Sequence, residues 1–235
     1  TKLSGYTSLE GDPGFSKMSK FSHVDLQGRS LVTIPITLYK KSSEIISLNL
    51  SRNLSLDVPK DFIQSCINLR EIKYIGNEAK HLPSSFSLAS RLTYLDISNN
   101  FLEELEHAQL DRLIGLVSIK MANNHLTKLP SYFGNFKYLR SLNMSSNGFK
   151  VFPKFLCELR SLVDLDISFN SIEEIPDIGQ LVTLERLWMT NNIISGSLDE
   201  SFRELVNLKE IDGRFNAITN IDSLSRLPRL EQAFF

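Results

Sequence analysis

Cysteine is nearly absent from this chain, at two in 235 residues. That is too few for the disulfide framework of a small secreted domain. A basic excess is missing too. Lysine plus arginine number 26 against 27 aspartate plus glutamate, which argues against a nucleic-acid partner, because such binders neutralise phosphates with a cationic surplus. No apolar run approaches the ~20 residues of a membrane span, so direct membrane insertion is not expected. The sequence has no phosphate-cradling glycine loop, no H-E-x-x-H and no Cys/His zinc spacing. Its four histidines, His23, His81, His107 and His125, are scattered. No catalytic residue, cofactor site or metal site is therefore predicted. Wholesale disorder is excluded by 42% hydrophobic and 23% charged residues.

What is abundant is leucine, 36 residues, and asparagine, 17. The phrase LTYLDISNNFLEEL (92–105) returns as LVSIKMANNHLTKL (116–129), LRSLNMSSNGFKVF (139–152) and LVDLDISFNSIEEI (162–175). Aligned on L-x-x-L-x-L-x-x-N-x-L, repeats begin at Phe21, Ile45, Leu69, Leu92, Leu116, Leu139, Leu162, Leu184, Leu208 and Leu230. A period of 22–24 residues sustained ten times is the signature of a leucine-rich repeat solenoid. The predicted fold is α/β: a horseshoe with a parallel concave sheet and short helices or turns on the convex side.

The pattern assigns roles. Positions 4 and 6 of each repeat, such as Leu95/Ile97 and Leu187/Met189, alternate into the core from a short strand. Position 9 is Asn at 53, 77, 100, 124, 147, 170, 192 and 216. A buried amide offers donors and an acceptor, so stacked asparagines predict a ladder that satisfies the turn leaving each strand. Repeat 1 carries Arg29 there and reads as an atypical, cap-like unit. Prolines 35, 59, 83, 130, 153 and 176 are expected to start the return path. Ten strands at ~4.8 Å spacing predict a sheet ~43 Å long.

Residues 1–20 lack the apolar core of a signal peptide and read as a poorly ordered linker, with the repeat domain over 21–235. Thr1 opens the chain, and the last repeat stops without a cap, so the expectation is a piece of a longer protein, truncated at its C-terminal end. Cys66 and Cys157, four repeats apart, are expected to be buried free thiols of a cytosolic protein. The sequons at Asn49, Asn53 and Asn143 then carry no glycan.

The candidate functional surface is the outward side of the strands, positions 3, 5 and 7. Position 5 reads Asp25, Asn49, Lys73, Asp96, Lys120, Asn143, Asp166, Trp188, Asp212, Phe234. The chain's single tryptophan stands in this mostly polar column. Around it lie Asp164, Asp166, Arg186, Glu210, Asp212 and Arg214, with Phe169 and Phe215 at the edge. An exposed aromatic ringed by charges has the composition of a protein-binding hot spot. Trp188 is expected to anchor a partner, the acids to supply the field, and Arg186 and Arg214 to meet acidic groups. Tyr94 with Asp96, Lys73 and Lys120 reads as an ordinary solvated face.

Two longer stretches, 56–74 and 161–221, contain words outside the repeat consensus: DFIQSCINLRE (61–71) and SGSLDESFRELVNLKEIDGRFNAI (195–218). In these words the chain resembles the leucine-rich repeat region of fungal adenylate cyclase, over residues 21 to 235. The resemblance implies a parent enzyme that makes cyclic AMP in a downstream catalytic domain using Mg or Mn. It implies repeats that engage a GTP-bound Ras-type GTPase at the cytoplasmic face of membranes, and contacts with other domains of the parent cyclase. Two other functions fit a bare repeat array: a sensor of a small microbial ligand such as a muramyl peptide, and a phosphatase-regulatory scaffold.

Overall fold

The computed structural model describes residues 21–235; the linker expected over 1–20 lies outside them. Ten three-residue strands form one parallel sheet, in chain order: β1 (His23–Asp25), β2 (Ser47–Asn49), β3 (Glu71–Lys73), β4 (Tyr94–Asp96), β5 (Ser118–Lys120), β6 (Ser141–Asn143), β7 (Asp164–Asp166), β8 (Arg186–Trp188), β10 (Glu210–Asp212) and β12 (Gln232–Phe234). Every strand covers positions 3 to 5 of its repeat. Position meets position in every pairing, as in Leu165↔Leu187 and Leu187↔Ile211. The solenoid expected from the period is the observed fold.

Return segments are tighter than helices. Most are 3-10 turns, among them Ile36–Glu44, Ser84–Leu88, Ser131–Asn135 and Lys154–Glu158; α1 (Lys60–Ser65) is the α-helix among the described residues. Pro35, Pro59, Pro83, Pro130 and Pro153 each sit at the residue before such a turn. That placement suits a residue whose fixed φ opens a helical turn and whose missing N–H would have been unpaired there. In the eighth repeat Leu-Pro is replaced by Ser197-Leu198, and Asp199 caps the turn Glu200–Glu204 by accepting from the Ser201 N–H at 3.0 Å. The same departure allows a second, two-stranded parallel sheet of β9 (Ser195–Ser197) and β11 (Ala217–Asn220). Periodicity gave no sign of it.

The core is one continuous cluster. Positions 4 and 6 fill its strand side, with Leu95, Ile97, Leu187 and Met189 fully buried. Phe62, Phe86, Phe133 and Phe202 fill the return side and are equally buried. Cys66 and Cys157 are free and buried. Burial pushes the Cys66 thiol up to about 12 and the Cys157 thiol up to about 11. Neither is a ready thiolate.

The asparagine ladder is realised at all eight positions. Asn100 donates from Nδ2 to the carbonyls of Tyr74, Ile97 and Ser98 (2.8, 3.0 and 3.2 Å) and accepts at Oδ1 from the N–H groups of Asn77 and Ala79 (2.9 and 3.2 Å). One amide thus closes its own turn and staples the repeat before it. Asn100 is 2% exposed, so no water can replace it. Leucine there would leave several buried backbone groups unpaired. Asn100→Leu is expected to lower stability by about 3 kcal/mol, against about 1–2 for the half-buried Asn147→Leu. Urea denaturation of both variants checks this; equal midpoints for wild type and Asn100→Leu would remove the ladder's energetic role.

Candidate functional site

Each strand ends in a turn whose position-7 N–H must find an acceptor. In six repeats the position-5 side chain provides it: Asp25, Asn49, Asp96, Asn143, Asp166 and Asp212 accept from the N–H two residues on, at 2.9–3.2 Å. Lys73, Lys120 and Trp188 cannot do this. In those repeats the N–H groups of Ile75, Ala122 and Thr190 go instead to the hydroxyls of Ser51, Ser98 and Ser168, one repeat earlier, at 2.9, 3.1 and 3.2 Å. The preceding serine therefore releases position 5 from its structural duty. Asp166 and Asp212 are turn acceptors first, while Trp188 stands where the backbone asks nothing of the side chain.

The expectation of a free-standing tryptophan is corrected. Trp188 is half-buried, and its indole Nε1 donates to Glu210 Oε2 on the next strand at 2.7 Å. Strands ~4.8 Å apart bring the Glu210 carboxylate within reach of a ring lying across its neighbour. The charges around the ring are paired with one another. Arg186 is held by Asp164 at 2.8 Å. Arg214 grips Asp212 with Nη2–Oδ2 at 2.7 Å and Nε–Oδ1 at 3.0 Å, and its guanidinium lies 5.0 Å from the centre of the Phe234 ring. Asp212 is buried, 8% exposed. In-register parallel strands set Arg186 beside Asp164, while Arg214 reaches back two residues to Asp212 within its own repeat, so these charges satisfy one another.

The two carboxylates that flank Trp188 across the strands behave oppositely. Burial pushes the Asp166 carboxyl above its ordinary value, although the Ser168 N–H pulls it down; Asp212 nearby adds to the rise. The Arg214 guanidinium holds the Asp212 carboxyl below its ordinary value. Among the described residues no group of three or more His, Cys, Asp or Glu is arranged to hold a metal ion.

Phe169 and Phe215 stand at the edge of this surface, as expected, and are 56% and 73% exposed. Sequence reasoning missed Ile193, 55% exposed on the loop between them. Its signal was available: an isoleucine at position 10, outside both inward columns. The second patch is a solvated face, with the Lys120 ammonium over the Tyr94 ring at 5.6 Å and Lys73 paired to Glu71 at 3.5 Å.

The sequence profile of the family described as leucine-rich repeat region matches residues 68–231, more than half of the chain. Adenylate cyclase of Podospora anserina is 57% identical over 92% of this chain, and that of Neurospora crassa 58% identical over 90%. Adenylate cyclase of Schizosaccharomyces pombe is 35% identical over 92%. The match covers 10%, 9% and 13% of these proteins, so the chain spans about a tenth of the length of the curated relatives it matches. Among solved structures, internalin C2 of Listeria monocytogenes aligns with TM-score 0.69 at 20% identity, covering 83% of this chain and 82% of that one. A further internalin of that organism aligns with TM-score 0.65 at 22% identity, covering 86% and 64%. At such identities the internalins speak to the fold alone. No helix among the described residues is long and apolar enough to cross a membrane.

Two outcomes test the accounting of turn N–H groups. Ser168→Ala should lower stability by about 1 kcal/mol by orphaning the Thr190 N–H. In a Trp188→Asp background, where the new carboxylate can accept that N–H, the loss should shrink toward zero; a double-mutant cycle of urea midpoints reads the coupling. Asp166→Asn keeps the Ser168 bond but removes a charge that burial disfavours. A carboxyl raised in the folded state costs stability when ionised; the cost fades as pH falls through its raised folded value and is gone below its unfolded value of ~3.9. Asp166→Asn should therefore melt no lower than wild type at pH 7, with any gain gone near pH 3; a clear loss at pH 7 would contradict the burial argument.

Proposed function

The chain belongs to the leucine-rich repeat family, and we propose that it serves as the non-catalytic, protein-binding repeat region of a fungal adenylate cyclase. The observation that carries the reading is the column at position 5. It is polar and structural in most repeats, but at Trp188 it gives a large aromatic surface to the concave face, and Ser168 supplies the turn acceptor that Trp188 cannot. Trp, Tyr and Arg anchors in desolvated centres dominate protein interfaces. The relatives support the cyclase assignment, since three fungal proteins bearing that name share this region.

The finer reading follows the resemblance. The repeats engage a GTP-bound Ras-type GTPase and pass its state to a cyclic-AMP-forming catalytic domain elsewhere in the parent, which would use Mg or Mn. Other domains of the parent cyclase are further contacts, and a lipidated GTPase would hold the assembly at the cytoplasmic face of a membrane. The partner meets repeats 7 to 9, at Asp164, Asp166, Phe169, Arg186, Trp188, Glu210, Asp212, Arg214 and Phe215. Because Arg186 and Arg214 are already paired, aromatic burial supplies the affinity. The rim charges tune the on-rate.

Trp188→Ala is expected to weaken binding of a GTP-loaded Ras-type GTPase by about 2 kcal/mol or more, the hot-spot threshold. Lys73→Ala, five repeats away and paired to Glu71, should change it by about 0.5 kcal/mol or less. Titration with GTP- and GDP-loaded protein at two salt concentrations measures both. A folded Trp188→Ala protein that binds normally, or binding indifferent to the nucleotide, would sink the assignment.

A further inference from the structure

The two flanks of the solenoid, at either end of its strands, divide charge unequally. One flank leads into the strands, from two residues before each repeat's first leucine to one after it. Over repeats 3 to 9 it holds Arg70, Arg91, Lys137, Arg140, Arg160 and Lys209 against one carboxylate, Glu185. On the flank beyond the asparagine turns, positions 10 to 13 of the same repeats hold five glutamates and three lysines. The whole chain is balanced to −1, so the separation lies in placement and not in composition.

On the basic flank, repeats 6 to 9 open a shallow cleft of about 430 Å³ whose polar lining is Arg140, Arg160, Ser161, Thr183, Glu185 and Asn207. A neighbouring cleft of about 370 Å³ shares Arg160 and adds Lys137 and Glu158. Hydrogen bonds between repeats fix the backbone at both arginines. The Arg140 carbonyl accepts from the Val163 and Asp164 N–H groups at 2.8 and 2.9 Å, and the Arg160 carbonyl from the Thr183 hydroxyl at 3.1 Å. The neutral donors of the floor are already engaged: Ser161 donates to the Lys137 carbonyl at 2.8 Å and Asn207 to the Val182 carbonyl at 2.6 Å. Glu185 is held by Lys209 at 3.0 Å, and Arg140 adds only a weaker pull on it. Among the described residues neither Arg140 nor Arg160 forms an ion pair. The free donors of the cleft are therefore two guanidinium groups, one from each of two stacked repeats.

That donor set selects the ligand's chemistry. A single guanidinium fork satisfies a carboxylate, whereas a phosphate offers a third acceptor oxygen and up to two charges, enough for two forks. The cleft falls within the range of small-molecule sites, about 300–1,000 Å³, and has room for more than one phosphate. We propose that it binds a multiply phosphorylated ligand, either a soluble polyol phosphate or a phosphoinositide headgroup, with one phosphate held by Arg140 and Arg160 together and Lys137 beside them. The site shares no residue with the Trp188 face and does not depend on a GTPase partner.

The probe is inositol hexakisphosphate, titrated calorimetrically into this chain at about 0.15 M salt, where long-range attraction between exposed charges is largely screened. Binding at one site is expected. Arg140→Gln and Arg160→Gln should each weaken it at least about tenfold, and a hexaglutamate peptide should bind wild type at least about tenfold more weakly than the probe. Arg91→Gln, on the same flank but outside both clefts, should change binding less than about twofold. All three side chains are exposed, so the variants should melt as wild type does. Absence of binding, undiminished binding by the Arg140 and Arg160 variants, an equal loss in Arg91→Gln, or equal binding of hexaglutamate would each overturn the proposal. Sedimentation with phosphatidylcholine vesicles carrying either phosphatidylinositol bisphosphate or phosphatidylserine separates the two sources. Capture by the first alone assigns the site to a lipid headgroup. Capture by neither, with calorimetric binding retained, assigns it to a soluble phosphate, and equal capture by both overturns the site.

Discussion

The structure depends on one side-chain amide per repeat. The position-9 asparagine donates to the position-6 carbonyl of the preceding repeat, as from Asn53 to Leu26 and from Asn216 to Met189, and accepts a backbone N–H from that repeat's loop. No other neutral side chain of that size offers two donors and an acceptor in one plane. The bonds set the loops of adjacent repeats in register. Variation of the period between 22 and 24 residues is absorbed on the return side, where 3-10 turns of three to nine residues bridge the same span.

Backbone satisfaction also governs where the concave face can vary. The position-7 N–H takes its acceptor either from its own repeat's Asp or Asn or from a serine one repeat back. The second arrangement makes position 5 available to lysine or tryptophan without leaving a buried donor orphaned. Trp188 thus stands at position 5 without weakening the turn beneath it. The charged residues around it are bound to one another, Arg186 to Asp164 and Arg214 to Asp212.

Repeats 7 to 9 depart from the pattern at several points: the aromatic at position 5, two phenylalanines at left-handed positions, Ser197-Leu198 in place of Leu-Pro, and the second sheet of β9 and β11. Each is locally unfavourable or irregular, and all lie within three stacked units. The earlier repeats depart as well, with Arg29 in place of the ladder asparagine, Arg52 at a left-handed position and Leu105-Glu106 in place of Leu-Pro.

The sequence by itself determined the solenoid, the ten strand positions, the inward columns and the asparagine ladder. Each follows from a repeated local requirement: alternation of side chains along a strand, and an amide where a turn must be closed. It also located the unusual residues, Trp188, Phe169 and Phe215, because they break a column. Only the tertiary structure decided what those residues do. The pairing of Arg186 with Asp164, the grip of Arg214 on Asp212 and the bond from the Trp188 indole to Glu210 depend on side-chain rotamers, and two of these three bonds cross neighbouring strands, which sequence spacing leaves open. The left-handed Phe169, whose N–H reaches the Thr190 carbonyl, and the sheet of β9 and β11 are tied by hydrogen bonds between repeats more than twenty residues apart, which the spacing of the leucines does not encode.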